Sequence, residues 1–128
     1  MALAAFACRS GRLNEEPIPP RADGDAHLGT KDVYSADGPR SDGWLYPNGS
    51  IIVKEAARPD TGFIGLVAIM RKERGANPAH NNWVWDEYTR SSPDELFTLT
   101  ASDEVCWQCH MGAAEADYVW IATLGLTR

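Results

Sequence analysis

Cys106, Cys109 and His110 are the residues of this 128-residue chain whose types and spacing could do chemistry together, in the run Cys106-Trp107-Gln108-Cys109-His110. Two thiols separated by two residues and followed at once by an imidazole form the pattern on which haem is covalently attached. The thiols would add to the two vinyl groups of the macrocycle, and the imidazole would then lie over it with a ring nitrogen on iron. The same residues admit a CxxC redox pair or half of a zinc site. A four-cysteine zinc site needs a second pair, and the chain offers only the distant Cys8. A mixed site drawing on His27 and His80 stays open. The chain is read around one covalent haem c, with Cys106 and Cys109 as thioether donors and His110 as the iron ligand.

The motif's place in the chain bears on the other face of the iron. Small helical electron carriers hold the motif near the N-terminus and take a second ligand from a methionine far downstream. Here only Met111 follows, and it adjoins His110, so it cannot reach the opposite haem face. A sixth ligand would have to come from upstream, from Met70, His27, His80 or a lysine, or the site is open and binds small molecules.

The elements that must position these groups are mostly strands. Pro47-Asn48-Gly49 is a turn, proline fixing one φ and Asn or Gly accepting a positive one, and Ser50 to Glu55 follows as a β-branched strand. Phe63 to Lys72 reads as a central strand, Asn82 to Thr89 alternates with Trp83 and Trp85 on one face and Val84, Asp86 and Tyr88 on the other, and Leu96 to Thr100 is a shorter strand. Ser102-Asp103-Glu104 supplies a capping side chain and first-turn negative charge, which predicts a helix carrying Cys106 to His110. Asp117 to Leu124 is apolar and aromatic enough to pack over the haem or the sheet edge. The fold class is α+β, mainly an antiparallel β-sheet with a C-terminal haem-binding helix. Residues 1–43 form a Pro- and Gly-rich irregular N-terminal arm, with Pro17, Pro19 and Pro20 close together, and 44–128 form the haem domain.

Composition fits one compact domain, 44% hydrophobic and 23% charged. A net charge of −6 without a basic stripe argues against nucleic acid, although an acidic surface could steer a basic redox protein. No stretch approaches the roughly twenty apolar residues of a membrane span. Haem attachment of this kind places the chain in the periplasm or another extracytoplasmic compartment. Met1 to Ala7 lacks a positive n-region and is too short for a whole export signal, but residues 1–8 could be its remnant. Cys8 would then be a candidate lipid anchor, although Ala5-Phe6-Ala7-Cys8 matches a lipoprotein box poorly.

The succession Trp44 to Glu55, then Met70 and Lys72, then Trp83-Val84-Trp85, then Cys106-x-x-Cys109-His110 and Asp117-Tyr118-Val119 resembles cytochrome P-460 and its relative cytochrome c′-beta over the last two-thirds of the chain. The resemblance implies an antiparallel sheet with a C-terminal haem helix, a five-coordinate haem with histidine as proximal ligand, and often a homodimer. Residues 9–43 lack the helical N-terminal pattern of that family, which bears on dimerisation and on the distal pocket. Hydroxylamine-oxidising members carry a lysine bonded to the haem edge and a nearby carboxylate, whereas gas-binding members line the pocket with phenylalanines. Lys54 is the candidate lysine, on the strand face of Ile52. Lys72, in Arg71-Lys72-Glu73-Arg74, reads more simply as part of a solvated charge run. Asp86 and Glu87 are the candidate carboxylates, of which at most one can face the pocket, and Phe63 and Phe97 are the candidate gas-pocket aromatics. His80 reads as an exposed loop residue, and His27 would need a long fold-back to reach iron. The implied partner is a small gaseous or nitrogenous ligand. The competing reading is an electron carrier or a haem-carrying subunit of a larger assembly, its arm wrapped on a partner.

Overall fold

The computed structural model describes residues 11–22, 24–37 and 45–120. Cys8 and the other residues of the presumed export remnant, Trp44, and Ile121 to Leu124 of the closing segment lie outside the described residues. Six strands, β1 (Gly11–Arg12), β2 (Thr30–Ser35), β3 (Ile51–Ala57), β4 (Ile64–Lys72), β5 (Trp83–Thr89) and β6 (Thr98–Ser102), form one antiparallel sheet in sequence order. Helix α1 (Glu104–His110) follows, and a 3₁₀ segment, Met111–Ala116, continues from it. The predicted fold class is the one observed.

The β-branched run and the turn at Asn48-Gly49 produce β3 where the sequence places it, with Gly49 at φ 92°. The last strand is displaced by two residues from Leu96–Thr100 to Thr98–Ser102, and a register irregularity between Glu87 and Tyr88 accompanies its pairing. Asp103 is the N-cap of α1, but its φ of 46° turns the backbone so that its side chain makes no capping bond. The helix is held instead by packing and by its continuation.

The arm is not irregular throughout. Thr30–Ser35 pairs with Ile52 to Ala57 of β3, and Ile18 and Lys31 form a further bridge. Alternation explains this, since Lys31, Val33 and Ser35 face inward and are buried while the residues between them are not. The prolines stay in the extended stretch before it, where no ladder N–H is needed.

One sheet face carries the core, made by Leu13, Val33, Tyr46, Ile52, Met70, Trp83, Trp85 and Val119, with Cys106, Trp107 and Tyr118 packed against it. Burying each of Trp83 and Trp85 contributes about 2–3 kcal/mol. Strand register then sets a transverse row on this same face: Val33 opposite Lys54, Lys54 opposite Ala68, Ala68 opposite Glu87, Glu87 opposite Ala101. Lys54 and Glu87 therefore face α1 from strands two apart, with only an alanine between them.

Gly29 fixes the entry to β2. It sits at φ 116°, and a Cβ there would lie 2.0 Å from the Ala57 carbonyl oxygen. Gly29→Ala is expected to lower stability by about 1–3 kcal/mol from backbone conformation alone, with the overlap adding to it. Thermal unfolding checks this, and an unchanged midpoint would show that the loop is not pinned on β3.

Candidate haem site

The i, i+3 and i+4 spacing of a helix puts Cys106, Cys109 and His110 on one face of α1. Both cysteines are free thiols. Burial pushes the Cys106 thiol up to about 11, the opposite of what a redox-active thiolate needs. Among the described residues, no three His, Cys, Asp or Glu side chains gather as a metal site of their own.

A strained turn orients the His110 ring. Asp117 and Tyr118 both take left-handed backbone angles, φ 54° and 64°, uncommon for non-glycine residues and most of all for an aromatic one. That turn aims the Tyr118 carbonyl at His110, whose Nδ1 lies 2.7 Å away. A carbonyl only accepts, so Nδ1 carries the proton and Nε2 keeps its lone pair. Burial lowers His110 to about 4, against the opposing Tyr118 bond and helped by Lys54, so the ring is neutral at ordinary pH. An oriented, neutral imidazole with a second-sphere acceptor is the donor that iron requires. The Trp85 ring lies 5.8 Å from His110, and its Nε1 is buried with no hydrogen-bond partner among the described residues. Haem brings carboxylates able to accept from such a donor. The donor set and this unsatisfied indole fit a haem group.

The sequence model for Cytochrome P460 matches residues 30–121, beginning inside the arm at β2 and running through β3 to β6, α1 and the Asp117-Tyr118 turn. The chain belongs to the cytochrome P460 family. No curated relative matches the chain closely enough to set beside it. Family membership makes this an iron-binding, c-type haem protein.

Against that identity the other sequence candidates separate. Lys54 and Glu87 lie on the α1 side of the sheet, whereas Asp86 faces the opposite side and pairs with Arg71 at 3.2 Å. Burial first, and Lys31 second, lower the Lys54 amine to about 8. Phe63 and Phe97 are engaged elsewhere, holding the Arg90 guanidinium at 5.9 and 4.5 Å from their ring centres. Lys72 does not belong to a solvated charge run. It is buried and donates to Asp117 at 2.6 Å, because β4 alternation turns it to the core face. His80 is half-buried, not exposed, and stacks on Trp107 at 4.2 Å. Met70 lies in the core among the tryptophans.

Sequence reasoning placed His27 far from the site. The structure brings it in, with Nδ1 3.1 Å from Lys54 Nζ and Nε2 3.3 Å from Glu87 Oε2. It also missed Asp117 as a buried hub, although an aspartate inside an apolar segment was a visible signal. An open depression of about 380 Å³ over Tyr46, Lys72 and Asn81 shares no lining residue with Cys106, Cys109, His110, Lys54 or Glu87.

Proposed function

We propose that the protein carries one haem c on Cys106, Cys109 and His110 and oxidises a small nitrogen species of the hydroxylamine type. The observation that supports this reading is the transverse row that sets Lys54 and Glu87 on the haem-helix side of the sheet, while Phe63 and Phe97 are occupied with Arg90. This is the lysine-plus-carboxylate arrangement of the oxidising members rather than the phenylalanine lining of the gas-binding ones.

The chain's own residues divide the work. His110 would hold the iron through Nε2, fixed by the Tyr118 carbonyl. A haem held there would supply the iron that binds the nitrogen ligand and relays its electrons to an external redox protein. Glu87 is the base, accepting a proton that leaves the substrate nitrogen or oxygen. Lys54 would approach the haem edge, where a bond from its amine to a macrocycle carbon, made with loss of one N–H and one C–H and of two electrons to an oxidant such as a peroxide, would alter the cofactor's electronics without touching the ligand His110. Trp85, Trp107 and Tyr118 exclude water around His110. An extracytoplasmic location goes with this chemistry. Among the described residues, no helix is long and apolar enough to cross a membrane.

Ferrous protein is expected to be five-coordinate and to bind carbon monoxide and nitric oxide without displacing a side chain. Its Soret band should be broad and red-shifted, and a tryptic digest should show the Lys54 region joined to the same haem as the Cys106 to His110 peptide. A normal high-spin band with Lys54 recovered as a free, acylated peptide would redirect the reading to gas binding. A low-spin ferrous spectrum unmoved by carbon monoxide would redirect it to electron transfer.

A further inference from the structure

We propose that His27, delivered by the N-terminal arm, is the hydrogen-bond bridge of the ligand side of the haem, holding the Lys54 amine and the Glu87 carboxylate in fixed positions toward a small ligand. This rests on the reading above that the iron is open on that side.

Strands in a sheet lie about 4.8 Å apart, so the Cα atoms of Lys54 and Glu87 are separated by roughly 9–10 Å across Ala68. An imidazole is a rigid group that fits between their side-chain ends. The hydrogen-bond roles follow from the partners. An amine donates, so Nδ1 accepts from Lys54 Nζ at 3.1 Å, and the ring proton is left on Nε2, which lies 3.3 Å from Glu87 Oε2 and is drawn to that carboxylate by its charge. Both ring nitrogens are thereby used, which distinguishes His27 from a ligand to iron. The order carboxylate, imidazole, amine is the one in which an imidazole orients and polarises the group beyond it. His27 is a positioning residue, acting through Lys54 and Glu87.

The arm is constructed to hold this imidazole in place. Asp25 Oδ1 accepts the His27 backbone N–H at 3.2 Å, and Asp25 Oδ2 accepts the Arg21 backbone N–H at 3.1 Å. Lys31 Nζ, almost wholly buried, donates to Asp25 and also to the Gly29 carbonyl at 2.9 Å. Gly29 itself is pressed on β3. Thus a buried ion pair and a close backbone approach fix the loop that carries His27. The charged and titratable groups around the ring are Lys54, His110, Asp25, Lys31 and Glu87, and burial together with the neighbouring amine and imidazole keeps it neutral.

The infrared C–O stretch of the ferrous carbon monoxide adduct tests the bridge, because it reads the polarity beside the bound ligand. His27→Leu should shift the stretch beyond its linewidth. His27→Gln should return it toward the wild-type position, since an amide can both donate and accept. Asp86→Asn, on the other face, should leave it unmoved. If His27→Leu does not fold, Asp25→Asn, which slackens the loop without touching the three side chains, should produce the same shift. A stretch unchanged in His27→Leu overturns the bridge. So does a low-spin ferrous wild type that turns high-spin in His27→Leu, which would put the imidazole on iron. Absence of carbon monoxide binding in wild type and variant alike would sink the open-site reading instead. The bridge would then be read from thermal unfolding of His27→Leu, Glu87→Gln and the pair, whose effects on the midpoint must be non-additive, additive effects counting against it.

Discussion

Replacing both Cys106 and Cys109 by serine in a Lys54→Ala background is expected to convert the haem from one that resists acid-acetone extraction to one that leaves wholly with the solvent. Each thioether forms when a thiol adds its sulfur and hydrogen across a vinyl double bond, with no electrons exchanged, and serine hydroxyls do not undergo that addition. The effect is all-or-none because the described cysteines are these two alone, both unpaired and both on the His110 face of α1. Single replacements should retain haem through one remaining bond. Covalent haem surviving in that triple variant would end the central assignment, and extraction of the cysteine double variant with Lys54 intact reads the bond at the lysine alone.

Asp117→Ala is expected to cost about 3–5 kcal/mol, the range for leaving one member of a buried ion pair without its partner. The carboxylate is completely buried and accepts from Lys72 Nζ at 2.6 Å, the Tyr46 N–H at 2.8 Å, Asn81 Nδ2 at 2.9 Å and Trp83 Nε1 at 3.2 Å. These donors belong to the start of β3's approach, the end of β4, the loop and the start of β5, so one side chain ties the C-terminal segment to half the sheet. Removal strands a buried ammonium and should lower the thermal midpoint by more than about 10 °C. Asp117 also precedes Tyr118, whose carbonyl orients His110, so haem that remains should show a heterogeneous spin state. Pairing Asp117→Asn with Lys72→Met removes both charges and should recover a good part of the loss. A midpoint within a degree or two of wild type in Asp117→Ala would mean the hub is not a determinant of stability.

Local pattern carried the sequence a long way. Strand alternation is a property of neighbouring residues, and it placed Lys54 with Ile52, set Asp86 and Glu87 on opposite faces, and located β3, β4 and β5. The haem motif is equally local, since two thiols and an imidazole within five residues share a helix face wherever that helix lies. What alternation leaves open is which face is covered and by what. Only register chose Glu87 over Asp86 as the partner of Lys54, because Ala68 joins the two in one row under α1. Lys72 read as one charge among four until β4 turned it inward onto an aspartate forty-five positions away. His27 and β2 were illegible for a related reason. The backbone of β2 pairs with β3 beyond a proline-rich stretch, and the loop that aims the imidazole is fixed by Asp25, Lys31 and the space that glycine leaves at position 29. The sequence by itself determined the cofactor chemistry and the strands, which depend on residues adjacent along the chain. The tertiary structure decided which side chains gather on the sheet face beneath that motif, because those contacts exist only once the sheet brings distant segments together.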